Sequence, residues 1–228
     1  MKNQSFTQEG LKLIACITML IDHIGSAFVP VTMLRCVGRL SFPIFAFLIA
    51  EGSYHTKNPK KYALRMLFLA VLSEYPFELA FFGGYTPYRQ NVMLTLLMGI
   101  LALEVMKKCP NLLLKALSVI PFALAAEWMK ADYGFEGVLV IGLFALTRGM
   151  RYERLIQFVC MLVIFASMNS SWIPFGPIQF RMQILGAFAI LPICFYSGEK
   201  QTHSKAVQWA FNLFYPAHLL VFGLIQIA

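Results

Sequence analysis

The sequence predicts an all-α fold, a polytopic transmembrane bundle of about nine helices. Three observations support this fold class: an extreme apolar composition, apolar stretches of near membrane-spanning length along most of the chain, and an alternation of strongly and weakly basic loops. Hydrophobic residues make up 59% of the 228 positions and charged residues 13%, and the mean hydropathy is +0.68. This composition excludes a water-soluble domain, which would have no interior large enough for so much apolar surface.

The apolar stretches each approach the roughly 20 residues that cross about 30 Å of hydrocarbon, and some fall short. The first is expected to be a helix rather than a cleavable signal peptide, because it contains Asp22 and His23 in place of a small-residue cleavage site. The sixth is the weakest, since Glu136 and Arg148 bound a short uncharged run. Without long linkers or repeats, residues 1–228 are expected to form a single membrane domain. The predicted spans are 11–30, 36–54, 62–82, 92–106, 112–129, 133–148, 155–171, 181–197 and 206–227.

The basic residues behind the net charge of +8 are concentrated in the predicted connections between spans, so they indicate membrane topology rather than binding of nucleic acid. Strongly basic connections alternate with weakly basic ones, and basic loops stay in the cytoplasm. The N-terminus is therefore expected in the cytoplasm and the C-terminus outside. The basic set comprises Lys2, Lys12, Lys57, Lys60, Lys61, Arg65, Lys107, Lys108, Lys115, Arg148, Arg151, Arg154, Lys200 and Lys205; the alternate connections hold only Arg35, Arg89, Lys130 and Arg181.

Charged residues at membrane depth are the first candidates for a functional site, because they are costly in hydrocarbon and need partners. His23 lies about 18 Å from the cytoplasmic end of the first span, in its outer half. Adjacent helical residues point about 100° apart, so Asp22 is expected to pair with a cation from another helix rather than with His23. Arg39, deep in the second span, is expected to have an anionic partner. These three residues are the candidate catalytic group; an ion pair beside a satisfied histidine is the structural alternative.

A second candidate region lies where the second span ends at the cytoplasmic side. Basic side chains and hydrogen-bond donors that follow one another closely could hold the phosphates of a nucleotide-bearing cofactor. Contact with anionic lipids and a simple topology signal remain alternatives. Arg35 is also assigned to cofactor binding, with snorkelling to the outer interface as its alternative. The candidate cofactor-binding residues are Arg35, Tyr54, His55, Lys57, Lys61 and Arg65.

The remaining intramembrane polar groups are assigned to substrate binding: Glu51, Glu74, Glu78, Asn91, Tyr215 and His218. Asn91, Thr95 and Gly99 recur every four residues, which also fits close helix packing. The five cysteines are scattered and lack metal-ligand spacing, so no metal is expected. One mid-membrane histidine, one deep arginine and several carboxylates favour proton-transfer or acyl-transfer chemistry. The residues alone indicate a membrane enzyme or a transporter.

Several segments resemble successive blocks of the TraX family, named for the F-pilin acetylase of conjugation systems. They are LKLIACITMLIDHIG, RCVGRLSFPIFAFLIAEGSYHTKNPKKYALRM, SEYPFELAFF, QNVMLTLLMGI and FYPAHLLVF, in order from about Leu11 to Phe222. The DHIG, R-x-x-x-RLSFPIF-x-F and EG-x-x-HT elements make the resemblance fairly specific. The family is similar to the transmembrane acyltransferases, which take an acyl group from a cytosolic CoA thioester.

This resemblance implies a multi-pass acetyltransferase of the bacterial inner membrane, with acetyl-CoA as donor and His23 as catalytic residue. The acceptor is expected to be a peptide or pilin N-terminus, or a small amine, and the other partners are membrane lipids. Together with the residues, it suggests that the CoA nucleotide stays near Lys57, Lys61 and Arg65. His23 then acts as a general base or as a transient acyl carrier. A proton-coupled transporter and a non-catalytic assembly factor of a conjugation or secretion system are the alternatives.

Overall fold

The computed structural model describes residues 6–29, 31–84, 88–175, 178–198 and 205–227. Within these ranges most of the chain is helical, and the only sheet is a two-stranded antiparallel hairpin. The all-α polytopic fold class is therefore confirmed. The helices are α1 (Gln8–Ala27), α2 (Thr32–Gly38), α3 (Ser41–His55), α4 (Pro59–Phe82), α5 (Val92–Met106), α6 (Leu112–Leu117), α7 (Ile120–Trp128), α8 (Gly134–Leu146), α9 (Glu153–Ser167), α10 (Ile190–Cys194) and α11 (Lys205–Ile227). Strands β1 (Trp172–Phe175) and β2 (Ile178–Arg181) precede a 3₁₀ helix (Met182–Ala189).

The predicted spans coincide with 9 helical segments of the described chain when α2 is counted with α3, α6 with α7, and the 3₁₀ helix with α10. Three helices are long and apolar enough to cross a membrane by length and composition: Gln8–Ala27, Thr32–His55 and Ala206–Ile227. The shorter apolar helices include α5 and α8, and α8 lies within the weak sixth span, 133–148. That all nine cross the membrane, and the orientation of the termini, stay predictions.

Prolines explain two of the interruptions that the hydropathy pattern did not predict. A proline ring clashes with the carbonyl four residues earlier and removes a helical hydrogen bond. The residue four positions before Pro43 is Arg39, which lies between α2 and α3. The residue four positions before Pro121 is Leu117, the last residue of α6. In contrast, α4 continues as a helix through Pro76. The second predicted span therefore has a turn next to its deepest charge.

Large apolar side chains remain exposed along several helices, as expected for surfaces that face lipid rather than water. Val71 is 70% exposed and Val163 is 68% exposed. Such residues recur on α1, α4, α9 and α11: Leu13, Ile17, Leu64, Phe68, Leu155, Val159, Val221, Leu224 and Ile225. The chain is therefore a membrane protein by helix composition and by surface chemistry.

The chain divides into two compact units, and the boundaries between them fall within α3 and α11 and before α9. Unit 1 comprises Met1–Leu48 and Thr147–Gln208, and unit 2 comprises Ile49–Leu146 and Trp209–Ala228. The single domain predicted over residues 1–228 stays a prediction.

In unit 1, α1 packs against α2, and the 3₁₀ helix packs against α9 and α2. Ser41 Oγ donates a hydrogen bond to the Ala15 carbonyl at 2.9 Å, which joins α3 to α1. A Cβ at Gly25 would lie 2.8 Å from Leu34 Cβ, so only glycine permits the approach of α1 to α2. The hairpin pairs Trp172 with Arg181, whose guanidinium lies 4.4 Å from the centre of the indole ring.

In unit 2, α5 contacts α4, α7 and α8. A Cβ at Gly99 would overlap the Ile141 side chain of α8, so the predicted small-residue face on α5 does mediate close helix packing. A Cβ at Gly223 of α11 would lie 2.6 Å from Leu79 of α4. Asn91 proved to be the N-cap of α5 rather than part of the helix, and its Oδ1 accepts the Met93 N–H at 3.0 Å.

The topology can be tested with one native and one introduced cysteine, because the loop charges predict opposite exposure for them. Lys2 and Lys200, which contribute to that charge pattern, lie outside the described residues. Cys109 lies in the basic connection between α5 and α6, and Ser171 is exposed just before β1. We expect impermeant thiol reagents to label Cys109 only from the cytoplasmic face.

A Ser171→Cys variant with the five native cysteines replaced should be labelled only from the outer face. The cysteine-free parent controls for background reaction. Reversed labelling at either position would contradict the predicted orientation.

Candidate functional site

A buried ion pair joins α1 to the turn between α2 and α3. Arg39 Nη2 donates a hydrogen bond to Asp22 Oδ1, and the two side chains are 11% and 13% exposed. The sequence indicated that Asp22 needs a cation from another helix, and Arg39 is that cation. At low dielectric, removing Asp22 would leave the buried guanidinium of Arg39 without this counter-charge.

Arg39 makes two further hydrogen bonds that fix the plane of its guanidinium group. Nε donates to the Arg35 carbonyl at 3.1 Å, and Nη1 donates to Gln183 Oε1 at 3.0 Å. The Nε atom of Arg35 lies 3.6 Å from Asp22 Oδ1, so two arginines share one carboxylate. We call Asp22, Arg35, Arg39 and Gln183 the Asp22 cluster.

His23 follows Asp22 on α1 but does not share its burial. Asp22 faces inward, and because the next helical residue points about 100° away, the imidazole lies at the margin of the packed face. His23 is half-buried. Its catalytic role stays a prediction.

Two local sequence features permit the Asp22 cluster. A Cβ at Gly38 would overlap the Asp22 side chain, so glycine lets α2 approach the carboxylate closely. The break caused by Pro43 takes Arg39 out of the regular helix, where it caps α2 with its backbone. The cluster therefore depends on a glycine and a proline that carry no chemistry themselves.

The predicted donor-binding residues other than Arg35 come together in unit 2, at the end of α3 and the first turns of α4. Lys57, Lys60, Lys61 and Arg65, which we call the basic segment, are all exposed. The N-cap of α4, Asn58, accepts the Lys61 N–H through Oδ1 at 2.9 Å. The positive end of a 24-residue helix therefore adds to four cationic side chains.

Aromatic and acidic residues lie within the basic segment and in the turn of α3 that precedes it. The Arg65 guanidinium lies 5.3 Å from the centre of the Tyr62 ring. Tyr54 is exposed and contacts His55 edge to face at 5.1 Å, and His55 Nε2 lies 3.5 Å from Glu51 Oε2. Glu51 was predicted to bind substrate, but it lies with the donor-binding residues rather than with Glu74 and Glu78. Arg35 belongs to unit 1 and contacts Asp22, which accounts for its position without a donor ligand.

The end of α3 is held by contacts that the sequence did not indicate. Lys107 Nζ donates to the Ser53 carbonyl at 2.8 Å and pairs with Glu104. Ser53 Oγ donates to Glu104 Oε1 at 3.1 Å. Because these contacts join the last turn of α5 to the last turn of α3, they support the start of the basic segment.

The other predicted substrate-binding residues form a largely buried polar group in unit 2. Glu74 accepts hydrogen bonds from the Asn91 backbone N–H and from its side-chain amide, which also donates to the Ala70 carbonyl at 2.8 Å. Tyr215 is 2% exposed and forms a hydrogen bond with the backbone of Val92. Glu78 is fully buried.

His218 differs from these residues because aromatic rings of its own helix enclose it. Its Nδ1 lies 2.6 Å from the Phe214 carbonyl, and its ring stacks on Phe214 at 4.9 Å. Tyr215 and Phe222 contact the imidazole edge to face. These contacts favour a packing role for His218. Within the described ranges, no group of three or more His, Cys, Asp or Glu residues is arranged to hold a metal ion.

Comparison with known proteins decides the family. The family model described as TraX protein matches residues 7–226 of this chain. The chain belongs to the TraX family. A probable fimbrial assembly protein FimC, serogroup H1, of Dichelobacter nodosus is 30% identical over 247 residues, which cover 96% of this chain and 95% of that protein. An uncharacterized protein of Rickettsia prowazekii is 39% identical over 54 residues, 23% of this chain and 22% of that protein. No solved structure matches this chain.

The TraX match covers every residue of the Asp22 cluster and of the basic segment. Gln183 is the member of the cluster that sequence analysis did not select as a site residue. It was visible only as one polar residue in an apolar span, 144 positions from Arg39. Intramembrane polarity was the available signal, but it could not identify the partner.

The close approach at Gly38 provides a stability prediction for this TraX protein. Gly38→Ala should lower the free energy of unfolding in detergent by about 1–3 kcal/mol, because the added methyl group displaces Asp22 from Arg39. Thermal unfolding of the purified protein measures the change.

The matched control is Gly84→Ala, since a Cβ at Gly84 meets nothing within 4 Å. That variant should unfold close to the parent temperature. Equal stability of the two variants would show that the Gly38 contact does not constrain the cluster.

Proposed function

We propose that this chain is a membrane-embedded acetyltransferase that moves an acetyl group from acetyl-CoA to an acceptor amine. The observation that carries the proposal is that His23, a half-buried residue of α1, directly follows Asp22 of the buried cluster in the sequence. A partly accessible imidazole next to a fixed carboxylate and guanidinium suits proton transfer and stabilisation of an oxyanion. Membership of the TraX family supports this assignment through the resemblance to transmembrane acyltransferases.

The proposed chemistry assigns a distinct role to each residue. His23 either removes a proton from the acceptor amine or accepts the acetyl group as a transient acyl-imidazole. Arg39 stabilises negative charge that develops on the thioester carbonyl oxygen. Asp22 holds the Arg39 guanidinium in place through the hydrogen bond described above.

The donor nucleotide is proposed to bind at the basic segment. Four exposed cations and the N-terminus of α4 favour the phosphates of CoA. Tyr54 and His55, which contact each other just before these cations in the sequence, are proposed to supply an aromatic face and a further donor. We propose that this region faces the cytoplasm of a bacterial cell, so that the protein lies in the inner membrane.

The acceptor is proposed to be the N-terminus of a pilin-like peptide or a small amine. The Dichelobacter nodosus relative is named a probable fimbrial assembly protein, which supports a pilus subunit as the acceptor. Carboxylates suit an amine, and Glu74 and Glu78 are the candidates in unit 2. The same name favours a second function, a non-catalytic role in fimbrial assembly.

His23→Ala should slow acetyl transfer by about 10²–10⁴-fold while leaving acetyl-CoA binding unchanged, because the general base or acyl carrier is lost. Release of CoA thiol from acetyl-CoA, with peptide and small amines as acceptors, measures the rate. Calorimetry measures binding.

His55→Ala is the matched control, because it removes the imidazole beside the basic segment. It should weaken donor binding and leave the chemical step largely intact. Parent-like turnover by His23→Ala would contradict the catalytic assignment and favour the assembly role.

Replacing Lys57, Lys61 and Arg65 together with Gln should weaken acetyl-CoA binding by at least about tenfold, because charge-assisted phosphate contacts are lost. The residual binding should depend less on salt concentration. A titration at two ionic strengths measures both effects.

The control triple variant replaces Lys108, Lys115 and Arg151 with Gln, which removes the same charge from other basic loops. It should bind acetyl-CoA like the parent. Equal weakening in both triple variants would leave the basic segment as a topology signal.

A further inference from the structure

Gln183 belongs to the Asp22 cluster, and only one of the two polar atoms of its side-chain amide has a hydrogen-bond partner among the described residues. The residue is 2% exposed, and its Oε1 accepts the hydrogen bond from Arg39 Nη1 at 3.0 Å. Its Nε2 atom is buried and has no hydrogen-bond partner among the described residues. A buried amide donor without an acceptor is unfavourable, so its retention needs an explanation.

The neighbouring arginine fixes which way the Gln183 amide faces. A guanidinium group has donors and no acceptor, so the amide atom that faces Arg39 must be the oxygen. Both N–H groups of Nε2 therefore point away from that bond. Rotating the amide would place donors against donors and would not satisfy the nitrogen.

A second buried glutamine in unit 1 also accepts a hydrogen bond from an arginine, but its amide nitrogen has an acceptor. Gln157 is 1% exposed, and its Oε1 accepts a hydrogen bond from Arg154 Nη1 at 2.9 Å. Its Nε2 donates to Thr147 Oγ1 at 2.9 Å. Both buried glutamines thus accept from an arginine, but only the amide nitrogen of Gln157 has an acceptor among the described residues.

The backbone around Gln183 is firmly held, which suits a fixed donor. Its N–H donates to Ser170 Oγ at 3.3 Å, and a Cβ at Gly186 would lie 3.1 Å from the Arg39 carbonyl. Arg181, just before the 3₁₀ helix, donates to Asn169 Oδ1 at 3.1 Å. These contacts hold the 3₁₀ helix against the turn that carries Arg39.

We propose that Gln183 Nε2 donates a hydrogen bond to the carbonyl oxygen of the acyl group and to the oxyanion formed from it. The inference rests on the proposed acetyl transfer and adds a substrate-contacting residue to it. The nucleophile's lone pair forms a bond to the thioester carbon, and the carbonyl π pair moves to oxygen. Gln183 Nε2–H donates a hydrogen bond to the negatively charged oxygen that results. The C=O bond then reforms, the C–S pair leaves with sulfur, and the proton lost by the nucleophile is transferred to the CoA thiolate.

Gln183→Glu separates this role from simple positioning of Arg39. The carboxylate still accepts from Arg39 and gives the cluster two acids for two arginines, but it cannot donate. We expect acetyl-CoA to bind within about threefold of the parent affinity and thiol release to fall about 10²–10³-fold, as when an oxyanion donor is lost. Gln157→Glu, the matched control, should release thiol within about threefold of the parent rate.

Parent-like thiol release by Gln183→Glu would overturn the inference, because positioning of Arg39 survives in that variant. A second measurement uses the unsubstituted protein labelled with ¹⁵N-glutamine, with Gln183→Met and Gln157→Met spectra assigning the side-chain amides. Addition of S-acetylpantetheine, a thioester without a nucleotide, should shift the Gln183 amide resonances and leave those of Gln157 unchanged.

The two proposals fail in different ways. A parent that releases no thiol and binds no acetyl-CoA contradicts the acetyltransferase proposal, whereas the Gln183 shift with S-acetylpantetheine would still support a carbonyl site. A Gln183 amide unmoved up to the solubility limit of S-acetylpantetheine overturns the inference, whatever the result with acetyl-CoA.

Discussion

The hydrogen-bonded ion pair between Asp22 and Arg39 is the constraint on which unit 1 depends. Neither charge is tolerable alone in a low-dielectric environment, so each element that contributes to the pair must keep its position. Pro43 interrupts the helix at Arg39, Gly38 lets the carboxylate approach, and Gln183 Oε1 accepts a hydrogen bond from Arg39 Nη1. A polar interaction of a few atoms thus determines how three segments of unit 1 pack.

The sequence predicted the helical segments well because hydrophobicity and length are local properties. The need of Asp22 for a cation was also predictable, since an unpaired carboxylate at membrane depth is costly. The break at Arg39 was predictable in principle from Pro43, but hydropathy averages over it. The hairpin at Trp172–Arg181 was not predicted, because its short strands lie between apolar stretches that dominate the pattern.

The candidate site was predictable only where a residue type is rare in membranes. Arg39 and Asp22 were selected for that reason, whereas Gln183 is a neutral residue whose importance depends on a partner far away in the sequence. Likewise, Lys107 belonged to a basic loop, and nothing local indicated that it holds the Ser53 carbonyl. The rings that enclose His218 lie three or four positions away on the predicted helix, so these contacts could be expected from helical spacing. Helical spacing does not decide between packing and substrate binding for His218.

The order of Asp22 and Arg39 along the chain also has a consequence for biosynthesis. Asp22 emerges from the ribosome 17 residues before Arg39, so α1 is complete while its carboxylate still lacks a counter-charge. A lone Asp costs on the order of 2.5–3.5 kcal/mol on insertion at the centre of a helix, which is an upper limit for Asp22 in the outer half of α1. This cost is offset once α2 and the turn that carries Arg39 have also been synthesised. Insertion of α1 and the second span together, as a helical hairpin, is therefore energetically favoured over their release into lipid one after the other.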